Sequence, residues 1–376
     1  LWLNKQKGLS FAGYQDLWEW SVAEVSAFWE SIWEYFEIIS HSDYDSVLSH
    51  EQMPDQKWFD GANLNYAEHV FRRKSNTRPA IYFQSENASL QQLSWETLES
   101  QVASFASFLR AAGVEKGDRV AAFLPNVPEA TTAFLATVSI GAIWSCCSPD
   151  FGAKSVIERF EQIQPKVLIG VDGYRYGGKA FDRVNVLREL HASLPELEHF
   201  VLLPSLQPER IDIGLPDVWC WADILEKFSG AALHFESLPF EHPIWILYSS
   251  GTTGIPKAIT HGHGGVLLEH LKYLVLQNDV KEGENYFWFT TTGWMMWNFL
   301  QAALLSGASI VLYDGSPAWP DLNVLWKLAA AIPIHHFGTS APYLMACMKE
   351  NLDPGKSFDC AKLRSLGSTG SPLPPE

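Results

Sequence analysis

Clustered positive charge, paired cysteines and long apolar runs are all scarce in this chain, and each scarcity excludes a class of function. Only 27 Lys and Arg stand against 43 Asp and Glu, a formal charge of −16, and no stretch holds a basic run long enough to follow a phosphate backbone. Nucleic-acid binding is thereby excluded. A nucleotide ligand is not, because salt screens exposed charges beyond roughly 8 Å and a phosphate site depends on nearer groups. The five cysteines, Cys146, Cys147, Cys220, Cys347 and Cys360, are odd in number and lack metal-ligand spacing. They read as reduced thiols, Cys146 and Cys147 inside an apolar strand, and imply a reducing, cytoplasmic compartment. His261, His263, His335 and His336 do not pair with carboxylates at metal spacing, so no zinc or other metal site is assigned. The start of the chain has no basic region followed by an apolar stretch and a small-residue cleavage site, so no secretory signal is expected. The single uncharged run, 130–149, is interrupted by Thr, Ser and Gly and reads as a buried helix over 130–140 followed by a strand, with no membrane span.

What is abundant is aromatic and apolar. Hydrophobic residues make up 47% of the 376, with 16 Trp and 22 Phe, the composition of a folded protein of one large domain or two fused subdomains. Residues 14–39 place Leu17, Trp20, Val25, Phe28, Trp29, Ile32, Trp33 and Phe36 at helical spacing and predict an amphipathic helical pair. Residues 42–77 have little periodicity and read as an extended wrapping segment. From residue 80 onward strands alternate with helices: strands at 80–84, 119–123, 142–147 and 167–171, with helices at 94–112, 129–140 and 153–164. The alternation resumes with strands at 243–248, 286–289 and 309–313 and helices at 265–275 and 293–305. Such alternation implies parallel strands with crossover helices, an α/β doubly wound architecture.

The segment richest in chemistry is 244–257, IWILYSSGTTGIPK. A buried strand runs into Ser249, Ser250, Gly251, Thr252, Thr253 and Gly254, and Lys257 closes the loop. Glycine-rich backbone can approach phosphate oxygens closely, while hydroxyls and an ammonium complete a phosphate cradle. The P-loop of nucleotide triphosphatases is excluded. Only two residues separate Gly251 from Gly254, and Pro256 has no N–H where that loop needs helix amides.

Residues 249–257 fit, at every defined position, the [ST]-[SG]-G-[ST]-T-G-x-P-K loop of the adenylate-forming superfamily, which the chain resembles. The resemblance implies an ATP site, with Ser249, Ser250, Gly251, Thr252, Thr253 and Gly254 around the β- and γ-phosphates and Lys257 and Thr253 as catalytic groups. A second segment, 287–299 (FWFTTTGWMMWNF), resembles the acyl-pocket segment of acetoacetyl-CoA synthetases, as do 262–273 and 311–317. It implies an acyl pocket of Gly293, Trp294, Met295, Trp297 and Asn298; taken alone, the same tryptophans and methionines also suit ordinary core. A third, 363–376 (LRSLGSTGSPLPPE), is similar to the superfamily's adenine and ribose loop and sets Gly370, Ser371 and Pro372 against the base. Acetyl-CoA synthetases usually carry Glu at the position of Ser371. A fourth, 172–179 (DGYRYGGK), is similar to the Arg-containing loop that meets CoA phosphates and nominates Arg175 and Lys179, which otherwise read as exposed basic residues; its spacing departs by one residue.

The implied fold is the large amino-terminal domain of the superfamily, with doubly wound, mostly parallel sheets and helices. A helical segment of the acetyl-CoA synthetase type is expected over 1–75 and an AMP-binding domain over 76–376. The small carboxy-terminal domain, the magnesium and ribose contacts and the carboxy-terminal catalytic lysine would all follow Glu376, so the chain is expected to be a fragment. The implied reaction joins acetoacetate, or another short acid such as acetate or propionate, to CoA at the expense of ATP with Mg2+. A fragment that binds nucleotide or CoA without ligase activity is the reading of a different class. Burying the ketone of acetoacetate unpaired costs on the order of 1–3 kcal/mol, so Trp297 or Asn298 is expected to donate to it.

Overall fold

The computed structural model describes residues 1–50, 52–210, 212–249 and 254–372. Two sheets dominate it. The seven-stranded sheet runs, edge to edge, Val218–Cys220, His199–Leu203, Val167–Val171, Arg119–Phe123, Ile143–Cys147, Pro243–Ser249, Lys257–Gly262. The six-stranded sheet runs Ser365–Thr369, His336–Ser340, Asn285–Trp288, Ser309–Asp314, Pro79–Ser85, Gln91–Ser94. Both are parallel except at one edge, where Lys257–Gly262 and Gln91–Ser94 pair antiparallel with their neighbours.

Alternation along each strand builds the layers. Val120 and Ala122 point into one core, whereas Ala121 and Phe123 point into another. In the second sheet Ile310 and Leu312 enter the same central core as Val120, and Val311 and Tyr313 enter a third. With a side-chain period of two, each sheet is apolar on both faces, as parallel sheets covered by helices require. The central core therefore lies between the sheets and holds Pro128–Ser139, a helix buried on all sides with ten buried residues, Thr131, Thr132, Thr137 and Ser139 among them, and proline in its first turn. Helices Ala153–Phe160 and Val184–Ser193 cover the outer face of the first sheet, and Val324–Ala331 and Ala341–Lys349 that of the second.

The expected pair over 14–39 is present as Tyr14–Ala23 and Val25–Tyr35, and Trp33 stacks on buried Phe59 at 4.6 Å. The long helix forms as Trp95–Ala111, with the Ser94 hydroxyl accepting the Thr97 N–H. One expectation needs correction. Segment 42–77 is not merely extended: Asn65 caps a buried helix, Tyr66–Phe71, by accepting the Ala67 N–H at 2.9 Å. The helix expected over 265–275 begins at His263, and an antiparallel strand, Lys257–Gly262, precedes it. The hydroxyl-rich segment thus lies between two strands of the sheet. Composition shows a loop between strand and helix; that a hairpin strand intervenes depends on Ser249 pairing with Lys257 and Leu247 with Ile259.

Candidate functional site

Parallel strands bring their carboxyl ends to one edge of a sheet, where ligands of open α/β folds bind. Here those edges face each other. Thr292, beyond strand Asn285–Trp288, donates its hydroxyl to the Leu124 carbonyl beyond strand Arg119–Phe123 at 2.5 Å. Asn126 reaches the Thr290 and Tyr313 carbonyls with its amide N–H groups at 3.5 and 3.4 Å, and its Oδ1 accepts the Trp297 indole N–H at 3.1 Å. Gly293 packs on the other sheet's turn, since a Cβ there would come within 2.9 Å of Phe151. Asn126 and Phe151 are joints of the site that the sequence reading did not single out; Asn126 sits in an unremarkable Leu-Pro-Asn-Val-Pro stretch.

A cleft of about 330 Å³ opens at the edge of the six-stranded sheet. Trp288, Thr291, Trp294 and Met296 line one side, and Thr339, Gly370 and Ser371 the other. The Trp288 indole forms its floor by lying across two neighbouring strands: a Cβ at Gly338 would sit 2.1 Å from the ring, and one at Gly367 2.7 Å, so only glycines admit it. The tertiary fold thus unites the segment around Trp294 with Gly370 and Ser371, about 75 residues apart in sequence. Pro372 follows as an exposed residue. The buried hydroxyls of Thr291 and Thr339 have no hydrogen-bond partner among the described residues.

The remaining nominated residues divide. Trp294 is 59% exposed and Met295 57%, while Trp297 is wholly buried in the central core, 5.9 Å from Phe134 and 6.3 Å from Trp144. The Trp297 N–H is taken by Asn126 and not turned to the cleft. Asn298 is 2% exposed, and neither its amide nitrogen nor its oxygen has a partner among the described residues. Buried polar groups are normally paired, and this orphaned amide sits in the helix that Trp294 precedes, behind the cleft wall and not among its lining residues. Ser249 and Lys257 close the hairpin opposite each other at the carboxyl end of the seven-stranded sheet; Lys257 is exposed and makes no ion pair with a described residue. Gly254 has φ 91°. Ser250, Gly251, Thr252 and Thr253 lie outside the described residues.

Arg175 and Lys179 lie on neither wall of this cleft. They lie on a separate hairpin, Gly173–Tyr176 with Lys179–Asp182, Lys179 beside its turn and Arg175 opposite Ala180, and Arg175 lines a second cleft of about 240 Å³ with Glu86, Glu129 and Asp314. Burial and the nearby Glu86 push the Asp314 carboxyl up to about 7, and burial raises Glu129 as well. Among the described residues no three His, Cys, Asp or Glu side chains converge as a metal site, and no helix is long and apolar enough to cross a membrane. All five cysteines are free; burial pushes the Cys146 thiol up to about 12, and Cys147 is likewise raised, which leaves both unreactive at neutral pH.

The chain is similar to known proteins over essentially its whole length. A family model described as "AMP-binding enzyme" matches residues 67–376, and one described as "Acetyl-coenzyme A synthetase N-terminus" matches residues 14–70. The chain is 44% identical to the acetoacetyl-coenzyme A synthetase of Rhizobium meliloti (strain 1021) over 100% of its own length and 57% of that protein's. It is 43% identical to the acetoacetyl-CoA synthetase of Rattus norvegicus over 97% of its length and 56% of the relative's. The solved acetoacetyl-CoA synthetase from Streptomyces lividans superposes with a TM-score of 0.94 at 44% identity, covering 100% of this chain and 57% of that one. The chain therefore spans a little over half the length of these relatives. With the AMP-binding model matched over more than 300 consecutive residues, the chain belongs to the AMP-binding enzyme family.

Proposed function

We propose that the complete protein is an acetoacetate:CoA ligase that activates its acid as an acyl-adenylate, and that this chain forms the acid and nucleotide site. The observation that carries the reading is the cleft in which Trp294 faces Gly370 and Ser371, with the orphaned amide of Asn298 on the helix behind it. The likeness to three acetoacetyl-CoA synthetases across essentially the whole chain supports it.

A carboxylate is a poor electrophile, so a thiol cannot displace its oxygen directly. In the proposed first step an acetoacetate oxygen attacks the α-phosphorus of ATP, the bond to the bridging oxygen breaks and pyrophosphate leaves. In the second the CoA thiol attacks the acyl carbon, loses its proton, and AMP departs with the electron pair. Catalysis of such steps is mainly positioning and charge neutralisation. Lys257, with Ser249, Ser250, Gly251, Thr252, Thr253 and Gly254, is assigned to the pyrophosphate side, and Gly370, Ser371 and Pro372 to the base. Gly293, Trp294, Met295 and Asn298 bound the acid; the ketone donor is assigned to Asn298 alone, since Trp297 already donates to Asn126. Magnesium is proposed to arrive with ATP. The described residues hold no carboxylate cluster to bind it, so no step here is routed through a protein-held ion. Arg175 and Lys179 are assigned to the CoA phosphates. Two units, the helical segment to about residue 75 and the adenylation domain after it, and a cytoplasmic location complete the proposal.

The test is pyrophosphate release by the complete protein with ATP, magnesium and CoA, offered acetoacetate, acetate, propionate and 3-hydroxybutyrate in parallel. A clear preference for acetoacetate is expected. Preference for another acid would keep the chemistry and reject the assignment of the acid, and no release with any acid would leave a binding protein.

A further inference from the structure

The hairpin that carries Arg175 and Lys179 is tied down at both ends. At its base, buried Asp172 accepts the backbone N–H groups of Ser205, Leu206 and Gln207 at 2.7, 2.8 and 2.9 Å. At its tip, Gly177 and Gly178 form a two-residue turn with φ 60° and 76°, a conformation that favours glycine at both positions and turns two adjacent N–H groups outward. Both are taken by one side chain. Glu86 Oε1 accepts the Gly177 N–H at 2.7 Å and Oε2 accepts the Gly178 N–H at 2.8 Å. Oε1 also accepts the Ser316 N–H at 2.8 Å.

The connection crosses the molecule. The hairpin leaves the seven-stranded sheet after Val167–Val171, whereas Glu86 and Ser316 follow adjacent strands of the six-stranded sheet, Pro79–Ser85 and Ser309–Asp314. Three N–H groups on one carboxylate are charge-assisted bonds, shorter and stronger than neutral ones. The turn is also covered from above, since a Cβ on Gly178 would sit 2.6 Å from the Trp319 ring. Arg175 opens onto the same cleft as Glu86, and Lys179 begins the return strand.

We propose that Glu86 is a positioning residue for thiol transfer: its carboxylate latches the hairpin tip to the second sheet and holds Arg175 and Lys179 where the CoA phosphates are met. This rests on the assignment of Arg175 and Lys179 to CoA. Glu86 lines the second cleft and not the one assigned to acid and nucleotide, so its loss is expected to separate the two half-reactions. In Glu86→Gln the charge is gone and one oxygen becomes an NH2 that faces a backbone N–H instead of accepting it.

The experiment uses the complete protein as wild type, Glu86→Gln, Glu86→Asp and the Arg175→Ala/Lys179→Ala double variant. Three quantities are read: hydrogen exchange of the peptide spanning 173–182, ATP–pyrophosphate exchange with acetoacetate in the absence of CoA, and KM for CoA. Glu86→Gln is expected to lose protection in that peptide and to raise KM for CoA roughly tenfold, the scale of a small misplacement of a binding group, with pyrophosphate exchange unchanged. Glu86→Asp keeps the charge and is expected to recover part of both losses. Unchanged protection, or an unchanged KM for CoA in Glu86→Gln while the double variant raises it, overturns the latch alone. An unchanged KM in the double variant overturns the CoA assignment, and the latch's role in thiol transfer with it. If Glu86→Gln fails to fold, Glu86→Asp carries the same comparison, and equal loss of both half-reactions there reduces Glu86 to a structural residue.

Discussion

Trp294 and Trp297 stand three residues apart in one short segment, and the molecule uses them for opposite purposes. Trp294 precedes the helix Met295–Gln301, remains mostly exposed and walls the cleft. Trp297, one turn on, is sealed between the two sheets among Phe134 and Trp144, with its N–H committed to Asn126. The difference teaches that a motif matched residue by residue can straddle two environments. Its cleft half is the one proposed to bear on which acid is bound, and its core half packs between the two sheets.

Truncation breaks this comparison most forcefully. Trp297→Ala is expected to cost about 3–5 kcal/mol of unfolding free energy, the range for a large buried aromatic. Trp294→Ala is expected to cost less than about 1 kcal/mol, with its effect on KM for the acid instead. Urea unfolding of this chain measures the first and steady-state kinetics of the complete protein the second. Equal destabilisation by both would remove the division.

Acid sharpens the core side. His270 packs against Trp245 in the same aromatic cluster and its Nδ1 lies 3.1 Å from the Tyr66 hydroxyl. His69 accepts the Ile39 N–H at Nε2. Burial holds the His270 pKa down at about 3 and that of His69 at about 4, and depresses His263 well below the usual value too. Unfolded histidines take up protons near 6.5. Between pH 6.5 and 4 the unfolded chain therefore binds more protons than the folded one, and stability falls as pH falls through that window, with no contribution from these groups above about pH 7.5. Urea midpoints across pH 4–8 check the slope, and replacing His270 with Phe is expected to make it shallower. A flat profile would mean that these rings are not held neutral.

The smallest expected effect on stability is at Asn298. Substitution by Leu removes two buried, unpaired polar atoms, so the chain is expected to keep its unfolding free energy or gain about 1 kcal/mol. In the complete protein kcat/KM for acetoacetate is expected to fall on the order of tenfold, the loss of one buried hydrogen bond to the ketone, while acetate is unaffected. A destabilised Asn298→Leu would show that the amide has a protein partner after all.

Much of this molecule was legible in its residues. Alternating apolar runs fixed the strands at 119–123 and 167–171 to the residue, because burial on both faces leaves an unbroken hydrophobic signature. Ser94 announced the start of its helix through an N-cap that depends only on local geometry. The segments 249–257 and around Trp294 were recognisable because each matches a family motif over many consecutive residues. Strand partnership was not legible, since hydrogen bonds between strands carry no side-chain code. Only the folded chain put Pro79–Ser85 beside Ser309–Asp314, turned the residues after Lys257 into an antiparallel edge, and brought Trp294 to Gly370. Nor could composition distinguish Trp294 from Trp297, or show that Glu86 closes on a glycine turn 91 residues away. Local preferences act over a few residues, whereas those choices were made by the packing of two sheets around one shared core.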